Sequence, residues 1–114
     1  MPNRSPDLDR LFRALGDPTR RAVLARLTEG PAAVKELAGP FEMALPSFMQ
    51  HLRVLESSGL VASQKVGRER RYRLVPEPLR EAEDWLAGQR NLWERRLDQL
   101  DEYLLQMAGK EGQE

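Results

Sequence analysis

The sequence predicts a mainly α-helical domain with one small β-hairpin and a long C-terminal helix. Three observations predict it. Apolar residues recur at steps of three and four in five segments punctuated by glycine or proline. A single stretch around Gly67 instead alternates like a pair of short strands. Charge is partitioned: 18 basic and 18 acidic residues cancel overall, yet residues 1–44 sum to +1, residues 45–75 to +4 and residues 76–114 to −5. A potential is felt over roughly 10 Å at moderate salt, so the segment values matter more than the total.

Each element follows from local chemistry. Leu8, Leu11, Phe12 and Leu15 form an amphipathic helix that stops at Gly16. Asp17-Pro18-Thr19 opens a second helix, with Asp17 as N-cap and Pro18 at the first helical position. Its apolar positions Ala22, Val23, Leu24 and Leu27 run to Gly30-Pro31. Val34, Leu37 and Ala38 make a brief third helix, ended by Gly39-Pro40. Pro46 begins a fourth, which buries Phe48, Leu52 and Leu55 and closes at Gly59. Leu60 to Val66 is then a strand, Gly67-Arg68-Glu69 a turn, and Arg70–Val75 the returning strand, with Val66, Tyr72 and Leu74 facing the core and Lys65, Arg71 and Arg73 on the other side. From Pro78 the pattern is helical for nearly thirty residues through Leu79, Ala82, Leu86, Trp93, Leu97, Leu100, Leu104 and Met107. Gly88 is a weak point inside it, about 1 kcal/mol worse than alanine and a candidate kink. The first few residues are polar and proline-rich, and Gly109–Glu114 is predicted to fray.

Composition removes several function classes. At 114 residues the chain is one domain with one modest core, and with 6% aromatic residues that core is mostly Leu, Val and Ala. There is no cysteine and one histidine, which excludes disulfide, thiolate-zinc, iron–sulfur and multi-histidine sites. No Ser/His/acid set, Gly-rich phosphate loop or metal cluster is present, so no enzyme, no cofactor and no metal is expected. No apolar run approaches the roughly 18 residues of a membrane span, and the N-terminus has no signal-peptide core. The expected location is the cytoplasm.

A short helix, a turn and a helix with a polar outer face is the arrangement that enters a DNA major groove, and a basic hairpin directly after it is a wing. The reading is therefore a winged helix-turn-helix over residues 1–114, with a DNA-reading part at about 18–76 and dimerisation elements at about 7–16 and 78–107. On the fourth helix Pro46, Ser47, Met49, Gln50 and Arg53 face solvent or DNA. Gln50 can pair with adenine, Met49 offers an apolar surface to a thymine methyl, and Ser47 can bond a phosphate. His51 either contacts phosphate or the DNA backbone, the preferred role, or is a structural residue at the helix–hairpin junction. Lys65, Arg68, Arg70 and Arg71 supply the wing, with Arg68 and Arg70 flanking the tip. The last helix carries an apolar stripe too long for one protomer to cover, so Trp85, Leu86, Trp93, Leu97, Leu100 and Leu104 are assigned to a homodimer interface joined by Leu8, Leu11 and Phe12. A small-molecule effector, if one acts, is expected at the Trp-containing part of that interface, where it would bias the spacing of two recognition helices about 34 Å apart.

Two stretches carry a family resemblance. Leu11-Phe12-Arg13-Ala14-Leu15-Gly16-Asp17-Pro18-Thr19-Arg20-Arg21 resembles the opening of the ArsR/SmtB-type bacterial regulators, and Gln50-His51-Leu52-Arg53-Val54-Leu55-Glu56-Ser57-Ser58-Gly59-Leu60-Val61 resembles their recognition helix and entry to the wing. The likeness covers roughly residues 8–76 closely and the last helix loosely. It implies a homodimeric transcriptional regulator, usually a repressor, on an inverted-repeat operator in double-stranded DNA, and a structural task for Arg20 or Arg21. Many members sense metals through Cys pairs near the third helix or His/Asp sets on the last. Here the first position reads Glu36-Leu37-Ala38-Gly39 and the last helix has no histidine, so the chain resembles the branch without metal sites. It also has Ala44 and Met49 where members often carry hydroxyl residues. The alternative function is a dimeric protein-interaction adaptor using the winged fold and the acidic last helix.

Overall fold

The computed structural model describes residues 6–112. In chain order the elements are α1 (Pro6–Leu15), α2 (Pro18–Leu27), β1 (Ala32–Ala33), α3 (Val34–Ala38), α4 (Leu45–Ser57), β2 (Val61–Val66), β3 (Glu69–Leu74) and α5 (Glu77–Gly112). The chain divides into two units, one running to Ala82 and the other beginning at Glu83.

In the first unit the predicted caps are present. The Asp17 carboxylate accepts the Arg20 N–H at 3.0 Å and Pro18 stands in the first turn of α2. Helix α4 ends on a Schellman arrangement: the Leu60 N–H reaches the Leu55 carbonyl at 3.2 Å and the Gly59 N–H that of Glu56 at 3.0 Å. Gly59 takes φ +82°, a left-handed conformation that a side chain resists. The core gathers α1, α2, α4 and the sheet around Leu11, Val23, Leu37, Phe48, Leu52, Leu55, Leu60 and Tyr72, and Ala82 from the start of α5 joins it. In α2, Val23 and Leu27 are buried and Leu24 is half-buried, whereas Ala22, expected among the apolar positions, is exposed.

The sheet has three antiparallel strands in the order β1-β3-β2, where a two-stranded hairpin was expected. The added strand pairs Ala32 with Tyr72 and Ala33 with Arg71. The turn between β2 and β3 contains only Gly67 and Arg68, so Glu69 already belongs to the strand and pairs with Val66. Gly67 has φ +65° and Arg68 does not share it, the sign pattern of a type II′ turn. This register corrects the expected faces. Paired residues share a face, so Val61, Ser63 and Lys65 lie with Leu74, Tyr72 and Arg70, while Gln64 and Val66 lie with Arg71 and Glu69. Val66 is consequently 52% exposed instead of buried, and Lys65 stands on the opposite side from Arg71 and Arg73.

The second unit is the remainder of α5. The helix passes through Gly88 without interruption and continues to Gly112, so the residues from Gly109 expected to fray are helical as far as they are described. Residues 113–114 and the polar N-terminal residues 1–5 lie outside the described range. Among the described residues no helix is long and apolar enough to cross a membrane.

Candidate nucleic-acid interface

Helix α4 turns Phe48, Leu52 and Leu55 fully into the core, which aims the opposite face outward. Pro46, Ser47, Gln50 and Arg53 are all exposed on that face. Gln50 and Arg53, one turn apart, act on each other: the Gln50 Oε1 accepts from the Arg53 Nε at 3.1 Å and also from a terminal guanidinium nitrogen. Met49 is only half exposed and packs against the core. Leu45, at the first position of the helix, is 56% exposed. Although it stands three residues before Phe48, it lies a full turn ahead of the packed stripe. No side chain caps the start of α4, because Ala44 occupies the N-cap.

His51 is half-buried and meets the start of α2 through one ring nitrogen. Its Nδ1 lies 3.1 Å from an Arg20 guanidinium nitrogen and 3.6 Å from the Asp17 carboxylate. Arg20 also donates from Nε to the Ala14 carbonyl at 2.9 Å and from its other terminal nitrogen to the Arg13 carbonyl at 2.8 Å. Arg21 makes one such bond, to the Leu15 carbonyl at 2.8 Å. Both arginines thus close the C-terminal end of α1, whose last carbonyls have no partner within the helix. The structural task implied for one of them falls to both, and the backbone carbonyls that hold them leave no mark in a sequence. The Asp17 carboxyl titrates below the usual aspartate value. Partial burial pushes it up, but the Arg20 N–H, the His51 and Arg20 charges and the Thr19 N–H together outweigh that.

The wing residues divide into held and unheld. Arg71 is half-buried and reaches Glu36 at 3.5 Å, and Glu36 also pairs with Arg26 at 3.3 Å. Arg70 donates to the Ser63 hydroxyl, which donates to Glu56, each at 2.9 Å. Burial and the nearby Glu56 charge raise the Tyr72 phenol above its usual value. Lys65, Arg68 and Arg73 are exposed and, among the described residues, their side chains make no hydrogen bond or ion pair. Strand β2 packs against α4, so these free cations and the outer face of α4 belong to one unit.

The residues assigned to a dimer interface fall into two groups. Leu11 is 1% exposed and spent in the protomer's own core, a correction to its assignment. Leu8 and Phe12 are half-buried against that core. On α5, Trp85, Leu86, Trp93, Leu97, Leu100 and Leu104 are between 43% and 65% exposed. Among the described residues no group of three or more His, Asp or Glu is placed to hold a metal ion.

Comparison with known proteins agrees with this geometry. Residues 15–64 match the family model of a helix-turn-helix domain. Over 76 residues the chain is 46% identical to the HTH-type transcriptional regulator Rv2034 of Mycobacterium tuberculosis, spanning 67% of this chain and 69% of the relative. The crystal structure of an ArsR family transcriptional regulator superposes with a TM-score of 0.77 at 53% identity, over 82% of this chain and 97% of that one. The solution structure of a homodimeric winged helix-turn-helix DNA-binding domain, Mb0332 from Mycobacterium bovis, superposes with a TM-score of 0.59 at 26% identity, over 81% of this chain and 94% of that one. This chain belongs to the ArsR family of winged helix-turn-helix transcriptional regulators.

Proposed function

We propose that the protein acts as a homodimeric repressor in the cytoplasm, occupying an inverted-repeat operator in double-stranded DNA. The observation that carries this reading is the outward face of α4 with Pro46, Ser47, Gln50 and Arg53, in the same unit as the unpaired cations Lys65, Arg68 and Arg73. In this reading the start of α4 enters the major groove. Gln50 and Arg53 meet base edges, and Ser47, next to a helix start without a side-chain cap, takes a phosphate. Lys65 and Arg68 clamp the backbone or minor groove from the wing.

Dimerisation rests on α5. Trp93, Leu97, Leu100, Leu104 and Met107 are exposed at steps of four, three, four and three, the spacing of a helix–helix seam. An apolar stripe of that length in water is covered most simply by its own copy, and the Mycobacterium bovis domain is homodimeric. An effector, where one acts, would work through the Trp85–Trp93 part of this seam.

Footprinting on the DNA upstream of the protein's own gene tests the reading. Two protected patches about one helical turn apart, with affinity that falls steeply as salt rises, are expected. An unprotected upstream region and no salt-dependent binding would refute it and favour the adaptor alternative.

A further inference from the structure

Of the large apolar side chains in the first unit that stand exposed, the described residues include only two, Leu45 and Val66. Both sit on the elements assigned above to DNA. Leu45 is the more telling. It occupies the first position of α4, where residues of a recognition helix reach base edges, and it is 56% exposed beside the exposed Pro46. Met49, one turn further on and on the same flank of the helix, turns inward against the core. The flank therefore offers a groove one outward apolar group, and the base edge that answers an apolar group is the 5-methyl of thymine.

We infer that Leu45 is a specificity-determining residue that reads a thymine methyl group in each operator half-site. The inference rests on the DNA-binding reading proposed above. Leu45 carries no polar atom beyond its backbone, so it discriminates by methyl burial alone, and adenine, guanine and cytosine offer it nothing equivalent. Burying one methyl group contributes about a factor of four in affinity, which sets the size of the effect.

Deoxyuridine isolates that group, since it lacks the methyl and keeps every hydrogen-bonding atom of thymine. The footprinted operator is synthesised with single thymine-to-deoxyuridine changes and titrated by fluorescence anisotropy. With the unaltered protein, one position per half-site should weaken binding about four-fold. Leu45→Ala should bind the thymine operator about that much more weakly and be indifferent to deoxyuridine at that position. Met49→Ala should keep the deoxyuridine penalty. Leu45 is exposed, so its truncation leaves the core intact, and unchanged thermal unfolding verifies this. A deoxyuridine penalty that persists in Leu45→Ala, or an operator that is bound with no sensitive thymine, overturns the inference while leaving the DNA-binding reading standing. Failure to bind any upstream DNA overturns both.

Discussion

Replacing Arg20 with alanine should destabilise the protein far more than replacing its neighbour Arg21. Arg20 makes two partly buried bonds, to the Ala14 carbonyl at 2.9 Å and to His51 at 3.1 Å, and one exposed bond to the Arg13 carbonyl at 2.8 Å. A hydrogen bond from a charged donor in such surroundings contributes about 1–1.5 kcal/mol, and the exposed one about 0.5 kcal/mol because water replaces it readily. The sum is about 3 kcal/mol. Arg21 holds the Leu15 carbonyl through one exposed bond, so its loss should cost about 0.5 kcal/mol. Urea unfolding resolves the two. With a slope of about 1.5 kcal/mol per molar, the midpoint should fall by about 2 M for Arg20→Ala and by about 0.3 M for Arg21→Ala. Protein concentration is held constant, since assembly raises the apparent stability of a protomer. Arg20→Lys should recover little, because an ammonium cannot span three acceptors set at the corners of a guanidinium fork. Equal midpoint shifts for the two alanine variants would refute the capping role.

Three further outcomes follow from other sites. Because the Asp17 carboxyl is held below its usual value in the folded chain, its charge contributes stability that is present above the unfolded-state value and lost as pH falls through the folded-state one. Asp17→Asn keeps a capping oxygen but not the charge, so its urea midpoint should depend less steeply on pH below about pH 4 than that of the unaltered protein. Gly59→Ala should cost about 1–2 kcal/mol through its φ of +82°, whereas Gly88→Ala, whose added methyl meets nothing within 4 Å, should gain up to about 1 kcal/mol; thermal unfolding reads both. Arg68→Ala should weaken binding to all DNA sequences alike and lower the slope of log affinity against log salt by about one for each protomer that contacts phosphate there, as measured by anisotropy.

Much of this fold could be read from the chain because its signals are local. Asp17-Pro18 and Gly59 write the ends of helices directly, and Phe48, Leu52 and Leu55 mark a buried face by spacing alone. What stayed illegible depends on partners distant in sequence or on backbone atoms. Strand β1 is two alanines with no pattern of their own, and it exists only because Tyr72 and Arg71 of β3 offer it hydrogen bonds. The hairpin faces hung on whether the turn holds two residues or three, and a one-residue difference moved Val66 from the core to water. The basic residues of the wing looked equivalent as letters. Glu36 and Ser63 separate them, holding Arg71 and Arg70 while Lys65, Arg68 and Arg73 remain open. The exposure of Leu45 carried no signal either, because helical spacing says which side a residue faces but not whether the core extends as far as its turn.

His51 unites two roles that the sequence set against each other. Arg20 has only donors, so its 3.1 Å contact with the His51 Nδ1 is a hydrogen bond when that nitrogen is unprotonated. The neutral ring then carries its proton on Nε2, which becomes a donor. A structural bond through one nitrogen therefore leaves the other with the polarity that a phosphate oxygen requires. The node also ties the carbonyl end of α1, the cap of α2 and helix α4 together through Arg20, Asp17 and His51. If both nitrogens act, His51→Ala should lose stability in common with Arg20→Ala, so the double variant should be less destabilised than the sum of the singles by about 1 kcal/mol. It should also weaken operator binding beyond what Arg20→Ala does under conditions where both variants are folded. Strict additivity in unfolding would remove the bond through Nδ1, and operator affinities that match between the two variants would remove the contact through Nε2.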